Sequence, residues 1–497
     1  MFKGSPMLRS ALLLTLANLA MRCVSMLFQA YLTGQVGAAG VGLLQLILTV
    51  NAFAVTVGTS GIRVAAMYLS AEEYGLRRYH GIRQAMYRCL GSGLLLSTFV
   101  GLLMAFFAES LAHYWVKDLQ AVFSLRLLGL TLPLTCLSAI LAGYFTACGL
   151  VRQLVIVEIL DRIASVGLTV WLLNRGVPGD LSHACASIVG GSALASAGSV
   201  AVLFGIMRAN FRTVPDIQDP LQMGRRLWQL CVPIALNDYL RSGLGTIEQF
   251  LIPYGLTRSG GSRTQALADY GTIHGMVFPL MMLPSTVLFS LADLLVPELA
   301  RCRAVCSQRR LQRMIRRCLS GSVLYAAAVG GLLFVLAQPL GMLIYRSPQA
   351  SHYLRLFAPL VPILYLDCIV DGIHKGLGQQ IYCVRVNTLT NLLDVIFLFL
   401  LLPRYGIGGY YFTYVLTHVI NFYLSIRRLL QITHAAPYRK FLVLSVSCVF
   451  LSVGISAAFL PKVPRWSSVC FAAGIYLTLL SLLLILTGCI DKSQSSP

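Results

Sequence analysis

The stretch Asn18-Leu-Ala-Met-Arg22-Cys-Val-Ser-Met-Leu-Phe-Gln29 places three polar side chains inside an apolar run that covers residues 8–32. If the run is helical, Asn18, Arg22 and Gln29 lie within about 40° of one another on one face. A guanidinium in a segment long enough to cross a bilayer costs about 3 kcal/mol unless it faces a polar interior. The stretch therefore predicts a membrane-spanning helix that presents one polar face to the inside of a helical bundle.

The composition of the whole chain agrees with this prediction. Only 11% of the 497 residues are charged and 57% are hydrophobic, whereas a soluble domain carries about 25% charged residues. Roughly 20 apolar residues cross the hydrocarbon core as a helix, and we count fourteen such segments. They are residues 8–32, 40–68, 85–108, 121–147, 154–174, 181–207, 227–254, 266–296, 318–345, 351–374, 382–403, 408–426, 441–460 and 466–488. The sequence thus predicts an all-α integral membrane protein.

The chain contains an internal repeat. The polar face of the first helix returns 219 residues later as Asn237, Arg241 and Glu248, and from Gly42 to Gly149 a match at an offset of 229 residues runs without a gap. Each repeat holds six predicted helices, and an even number inserts both repeats in the same orientation. We expect two parallel lobes with the substrate path between them. The predicted domains are an N-lobe (1–210), a cytoplasmic linker (211–226), a C-lobe (227–430) and two further helices (441–490).

The formal net charge of +21 could indicate a nucleic-acid partner, but the positions of the charges argue against one. Most of the 39 Lys and Arg fall in loops on one side of the predicted spans. The loop after the eighth span alone contains Arg301, Arg303, Arg309, Arg310, Arg313, Arg316 and Arg317. This distribution follows the positive-inside rule and predicts that both termini are cytoplasmic. We expect the basic loops to contact anionic membrane lipids and expect no nucleic acid as a partner.

The sequence contains no motif for ATP or a bound metal. A Gly-x-x-x-x-Gly-Lys-Ser/Thr loop is absent, and no loop is long enough for a nucleotide-binding domain. The fourteen cysteines are scattered, and Cys302 and Cys306 lack the spacing of a zinc site. We therefore expect no cofactor and no metal, and a transport cycle driven by a gradient.

Three stretches carry a family resemblance. They are Gly40-Val-Gly-Leu-Leu-Gln45 with Gly61-Ile-Arg-Val-Ala-Ala66, Tyr270-Gly-Thr-Ile-His-Gly-Met-Val-Phe-Pro279 with Leu295-Val-Pro-Glu298, and Gly376-Leu-Gly378 with Leu402-Pro-Arg-Tyr-Gly-Ile-Gly-Gly409. The chain resembles the stage V sporulation protein B family of polysaccharide and lipid-linked oligosaccharide exporters. Their superfamily, called MOP, also contains the MurJ-type lipid II flippases and the MATE drug exporters.

The resemblance implies a flippase that moves a polyprenyl-pyrophosphate-linked saccharide across a bacterial plasma membrane. It implies two lobes that rock around a central cavity, a monomer, and no enzymatic activity. Arginines of the first two helices and of the second lobe line the cavity in the lipid II branch. The matching positions here are Arg22, Arg63 and Arg241, and Asn18, Gln29 and Asn237 share the faces of Arg22 and Arg241.

Arginine suits this cargo, because its planar, permanently charged fork matches the oxygens of a pyrophosphate. Two structural alternatives stay open. Glu248 lies two turns after Arg241 and could form an ion pair with it. Arg63 lies close enough to the end of its helix for the side chain to snorkel to the membrane surface.

A second group of polar residues could couple transport to an ion. Asn387, Asn391 and Asp394 occupy positions i, i+4 and i+7 of the eleventh span, and Glu248 of the seventh span could complete their site. Their oxygens suit Na⁺, or Asp394 could carry H⁺. The alternative is hydrogen bonding between helices.

Asp367, Asp371 and His374 share one face at the end of the tenth span. We expect a solvated helix end that pairs with Lys375. Metal binding is the alternative.

Two other functions are considered. A MATE-like, cation-coupled multidrug exporter needs an acidic cavity, which the paired arginines argue against. An integral-membrane glycosyl- or phosphotransferase needs paired carboxylates with a metal near the membrane surface and a large loop for its donor. Asp367 and Asp371 are the only candidates for such carboxylates, and no such loop exists. The sequence therefore favours the flippase.

Overall fold

The computed structural model of the chain describes residues 6–59, 61–175, 181–211, 220–304, 308–435, 439–458 and 466–486. No β-strand occurs in these residues. The α-helices are α1 (Pro6–Thr59), α2 (Ile62–Gly75), α3 (Tyr79–Phe106), α4 (Ala108–Ser110), α5 (Ala121–Ala147), α6 (Val151–Leu173), α7 (Leu181–Asn210), α8 (Pro220–Arg258), α9 (Arg263–Thr272), α10 (Phe278–Met282), α11 (Thr286–Ala304), α12 (Gln308–Val335), α13 (Ala337–Ile344), α14 (Pro348–Phe357), α15 (Val361–Gly376), α16 (Gln380–Thr433), α17 (Arg439–Ala458) and α18 (Trp466–Leu486). The predicted all-α class is confirmed.

The lengths of these helices support a multi-pass membrane protein. In the described ranges, seven helices are long and apolar enough to cross a membrane, or eight if the bent pair α9–α10 and α11 forms one span. Two of the seven, α1 and α16, have 54 residues each. A straight helix of that length would extend about 80 Å, whereas the hydrocarbon core is about 30 Å thick. The count of fourteen spans stays a prediction.

A single glycine interrupts each of the two long helices. Gly37 has φ 70° and ψ 175° within α1, and Gly406 has φ 54° and ψ −135° within α16. Positive φ angles are costly for residues with a Cβ atom, so glycine allows the chain to kink at these points. The helix α16 therefore contains two of the predicted apolar segments, 382–403 and 408–426, on either side of Gly406. The helix α1 contains segment 8–32 and the first part of segment 40–68, which continues after a second break as α2.

The chain forms two compact units. The first unit contains residues 1–21 and 35–251. Its core is an apolar cluster contributed by α2, α3, α5, α6, α7 and α8 and includes Ile62, Met86 and Leu227. Gly101 of α3 and Gly129 of α5 lie so close that a Cβ atom on either would collide with the carbonyl oxygen of the other. Residues 212–219 of the predicted linker 211–226 lie outside the described residues, and the predicted lobe boundaries stay predictions.

The second unit contains residues 22–34 and 252–497. Within it, α15 packs against α11, α12 and α16. The last two helices, α17 and α18, pack on α12 through an apolar cluster. Tyr476 of α18 donates its hydroxyl to the carbonyl oxygen of Ala328 at 2.9 Å. A Cβ atom at Gly331 would lie 2.5 Å from that hydroxyl and 2.9 Å from Val453.

We expect Gly331→Ala to lower the thermal unfolding midpoint of the detergent-purified protein, because the new methyl group would push α17 and α18 off α12. Overpacking of this kind costs about 1–3 kcal/mol. The matched control is Gly321→Ala on the same helix, where nothing lies within 4 Å of the added Cβ atom. That change should leave the midpoint equal or slightly higher, because alanine is the better helix former. Equal midpoints for the two variants would contradict the packing argument.

Candidate functional site

A cavity of about 580 Å³ lies in the first unit. Its walls come from the end of α1, from α2, from α5 and from the middle of α8. The polar groups that line it are Thr56, Thr59, Arg63, Asp238, Arg241 and Ser242. The structure thus brings together two of the three predicted cargo arginines, Arg63 and Arg241, in one cavity.

The electrostatic character of this cavity is cationic, because two guanidinium groups face one carboxylate. Arg63 and Arg241 are both exposed, and neither forms an ion pair with another residue that the structure describes. The predicted alternative of an ion pair between Arg241 and Glu248 is therefore wrong. Glu158 of α6 is near enough to Arg63 to interact with it electrostatically, but it does not pair with it. The guanidinium groups of Arg63 and Arg241 both remain accessible to an anion.

Two glycines place Arg63 at the cavity wall. Gly61, directly before α2, has φ +73°, and a Cβ atom there would lie 3.1 Å from the carbonyl oxygen of Cys231 and from Ile234. Gly143 of α5 allows a similar approach, because its Cβ atom would lie 2.9 Å from the backbone oxygen of Arg63. The backbones of α2, α5 and α8 can therefore pack closely around the first turn of α2.

An ion-pair network fixes α8, and with it Arg241, against α2. The Arg226 guanidinium bridges Glu72 at 2.8 Å and Glu73 at 3.2 Å. Glu73 is buried, and a buried carboxylate without its cation would be strongly destabilising. Nearer the cavity, the Tyr239 hydroxyl donates to the backbone oxygen of Val57 at 3.4 Å. These contacts hold α8 to α2 and α1 and so determine where Arg241 points.

Arg22, the third predicted cargo arginine, belongs to the second unit. One of its guanidinium nitrogens donates to the backbone oxygen of Met282 at 2.9 Å. The guanidinium also lies 5.7 Å from the centroid of the Phe289 ring. Met282 is the last residue of α10, at the point where the bent pair breaks by 58°. Arg22 therefore stabilises the end of a broken helix in this structure.

Of the remaining predicted cargo residues, neither Asn237 nor Gln29 lines the cavity. Asn237 is half-buried on α8, next to Asp238. Gln29 belongs to the second unit, and its side-chain amide nitrogen is buried without a hydrogen-bond partner among the described residues. Asn18 is part of α1, but its side chain lies outside the described part of the structure.

The predicted ion-coupling residues are divided between the two units. Asp394 is buried on α16 and accepts a hydrogen bond from the Thr417 hydroxyl at 3.1 Å. Asn387 and Asn391 are half-buried on the same helix. Glu248 belongs to the first unit. The hydrogen bond between Asp394 and Thr417 links α16 to itself across its kink, which is the predicted alternative role for this residue.

Sequence reasoning missed Asp238, Ser242 and the two threonines of the cavity. Asp238 and Asn237 lie about 60° and 40° from Arg241, on opposite sides of it around the helix. The helical period alone could not show which of them faces the cavity. The packing of α8 on α1 and α2 turns the Asp238 side inward.

The fold of this chain is that of the MOP superfamily of membrane transporters. A structure of the lipid II flippase MurJ in an inward closed conformation matches 96% of this chain and 99% of its own, with a TM-score of 0.74 and 12% identity. An inward-facing MATE multidrug transporter matches 84% of this chain and 96% of its own, with a TM-score of 0.65 and 14% identity. At these identities the similarity shows the fold alone.

The sequence comparison gives the family. The model of the polysaccharide biosynthesis protein family matches residues 7–303, so the chain belongs to this family. Stage V sporulation protein B of Bacillus subtilis (strain 168) is 22% identical over 453 residues, which are 88% of this chain and 85% of that protein. The chain is accordingly a multi-pass membrane protein of a polysaccharide biosynthesis family.

We expect Gly61→Ala to disturb the cavity more than Gly149→Ala does. Both glycines have φ +73°, so each alanine meets the same backbone strain, about 1–2 kcal/mol. Only position 61 adds close contacts, to Cys231 and Ile234. The unfolding midpoint of Gly61→Ala should therefore fall further. Equal losses in the two variants would show that the approach of α8 to this turn does not matter.

Proposed function

We propose that this protein exports a polyprenyl-pyrophosphate-linked saccharide, a precursor of a cell-envelope polymer, from the inner to the outer leaflet. The transport proceeds by alternating access of the two lobes around a cationic cavity. The observation that carries the proposal is that Arg63 and Arg241 face one cavity and form no ion pair with a described residue.

The chemistry of the cavity fits a pyrophosphate with an attached sugar. Each guanidinium can donate two parallel hydrogen bonds to phosphate oxygens, and a low-dielectric wall strengthens both interactions. The hydroxyls of Thr56 and Thr59 already donate to backbone oxygens of α1 at 2.9 Å. Their lone pairs and the Asp238 carboxylate are thus acceptors, which suit the hydroxyls of a sugar. The volume of about 580 Å³ is typical of a small-molecule site.

The proposed cargo set also includes Arg22, Asn18, Gln29 and Asn237. The single bond of Arg22 to the Met282 oxygen uses one of five guanidinium N–H groups. The remaining donors of this exposed side chain can bind an anion while the bond to α10 persists.

The setting of the proposed cycle is a bacterial plasma membrane, with both termini in the cytoplasm and the protein acting as a monomer. We propose that a gradient of Na⁺ or H⁺ drives export, with Asp394 as the coupling group and with Glu248, Asn387 and Asn391 as its partners. The burial of Asp394 in a membrane-spanning helix supports this role, because ionisable residues inside such helices are typical of ion and proton pathways.

We expect Arg63→Ala and Arg241→Ala each to lower the flipping rate of a fluorescent undecaprenyl-pyrophosphate saccharide in proteoliposomes by at least about 10-fold. The loss of one charge-assisted contact of about 1.5–3 kcal/mol accounts for this factor. Arg63→Lys and Arg241→Lys should recover part of the rate, since lysine retains the charge but loses the fork. Raising the salt concentration should weaken the wild type more than either alanine variant.

The matched control for these variants is Arg152→Ala, which removes an exposed arginine of α6 in the same unit and outside the cavity. It should flip the cargo at the wild-type rate. Normal flipping by both cavity variants would refute the role of the cavity. Efflux of a cationic dye by the wild type, without flipping of the lipid-linked saccharide, would instead favour the MATE-like exporter.

A further inference from the structure

The second unit contains a group of ionisable side chains at the end of α15. Asp367, Asp371 and His374 project from one face of this helix. His374 is 0% exposed, whereas the two aspartates are half-buried, each with one buried carboxylate oxygen. No ion pair joins Lys375 to either aspartate among the described residues, so the sequence expectation of a solvated helix end paired with Lys375 is wrong. We call these three side chains the α15 cluster.

The aspartates of this cluster contact α16. The Asn421 amide donates to one oxygen of Asp367 at 2.9 Å. Cys383 of α16 interacts electrostatically with Asp371. Asp367 and Asp371 are one turn apart and interact electrostatically with each other. Two carboxylates this close repel each other when both are ionised, and a bound proton removes the repulsion.

The histidine lies at the other end of the cluster. Its Nδ1 donates to the backbone oxygen of Val370 at 2.9 Å, so Nε2 is the nitrogen that can take up a proton. The ring stacks on Tyr382 with the centroids 5.9 Å apart. The Arg428 guanidinium lies 5.6 Å from the centroid of the same tyrosine ring. His374 also interacts electrostatically with Asp371, which connects the two ends.

The cluster contains buried polar atoms that nothing in the described chain satisfies. Buried polar atoms almost always have a partner in the protein or in ordered water. Several unsatisfied atoms in one place therefore indicate a small ligand that the side chains do not supply. The atoms without a hydrogen-bond partner among the described residues are Asp367 Oδ1, Asp371 Oδ1, His374 Nε2, Asn421 Oδ1 and Arg428 Nε.

The types of atom favour a proton with ordered water over a metal ion. The described residues contain no group of three or more His, Cys, Asp or Glu side chains arranged to hold a metal ion. Chains of Asp and His side chains within membrane spans are typical of proton relays.

We propose that Asp367, Asp371 and His374 form a proton-binding relay within the second unit. One turn of α16 connects this relay to Asp394. Asn421 bonds to Asp367, and Thr417, which lies four residues before Asn421, bonds to Asp394. The relay thus gives a proton a buried polar route between Asp394 and the end of α15. The titratable or charged groups that interact with it are Asp293 on α11, Cys368 and Lys375 on α15, and Tyr382, Cys383 and Arg428 on α16.

Infrared difference spectroscopy of the purified full-length protein during a pH titration tests the relay without any cargo. The wild type should show the carbonyl stretch of a protonated buried carboxyl group, which shifts in D₂O and disappears as the pH rises. Asp367→Asn or Asp371→Asn should abolish this signal or halve it. His374→Gln should keep the signal but move its midpoint. The control Asp161→Asn removes a carboxylate of the first unit that accepts a hydrogen bond from Ser199, and it should leave the signal unchanged.

Three results would overturn the proposal. The signal could be absent from the wild type at every pH, or it could persist unchanged in both aspartate variants. Addition of NaCl in place of choline chloride at constant pH could also remove it, which would identify a sodium site. If an aspartate variant does not fold, the midpoint of the carbonyl signal in His374→Gln tests the proposal instead. A midpoint equal to that of the wild type would exclude a coupled relay. Transport variants of Arg63 and Arg241 should retain the signal, so this test is independent of the proposed cargo.

Discussion

The cost of an ionisable side chain inside an apolar helix is the constraint on which both units depend. The first unit meets it in two ways. Arg226 pairs with Glu72 and Glu73 and so holds α8 to α2, whereas Arg63 and Arg241 face a cavity that is open to a ligand. The second unit reduces this cost by grouping Asp367, Asp371 and His374 in the α15 cluster, where the Asn421 amide bonds to Asp367. The ion pairs of Arg226 hold helices together, whereas the ionisable side chains that line the cavity or form the α15 cluster have no ion pair among the described residues.

A related constraint applies to the backbone, because a carbonyl group in lipid must find a donor within the protein. Pro284 lies in the break between α10 and α11, where several carbonyls lose their helical partners. Side chains replace those partners. Tyr365 donates to Met281 O, Arg22 and Ser285 donate to Met282 O, and Tyr325 donates to Pro284 O. A cation at the carboxyl end of α10 is further favoured by the helix dipole, which explains why the Arg22 guanidinium is tolerated in an apolar run.

The sequence was sufficient for the features that follow from composition and helical period. The apolar segments predicted the all-α membrane fold, and the common face of Asn237 and Arg241 located the polar side of α8 to within about 60°. The sequence was insufficient for features that depend on how the helices pack against one another. The helical period cannot show that Asp238 and not Asn237 faces the cavity. The helical period also predicted that His374 lies at a solvated helix end. That prediction failed because the burial of His374 depends on its contacts with α16, the next helix in the chain, including the interaction with Arg428.

The helix α1 contributes residues to both units. Residues 22–34 belong to the second unit, and Arg22 among them bonds to the end of the broken helix. Residues 35–59 belong to the first unit and end with Thr56 and Thr59 in the cavity wall. Gly37 lies just after the boundary, with φ 70° and nothing within 4 Å of its Cβ position. Glycine is thus required at this position by the backbone angle and not by packing.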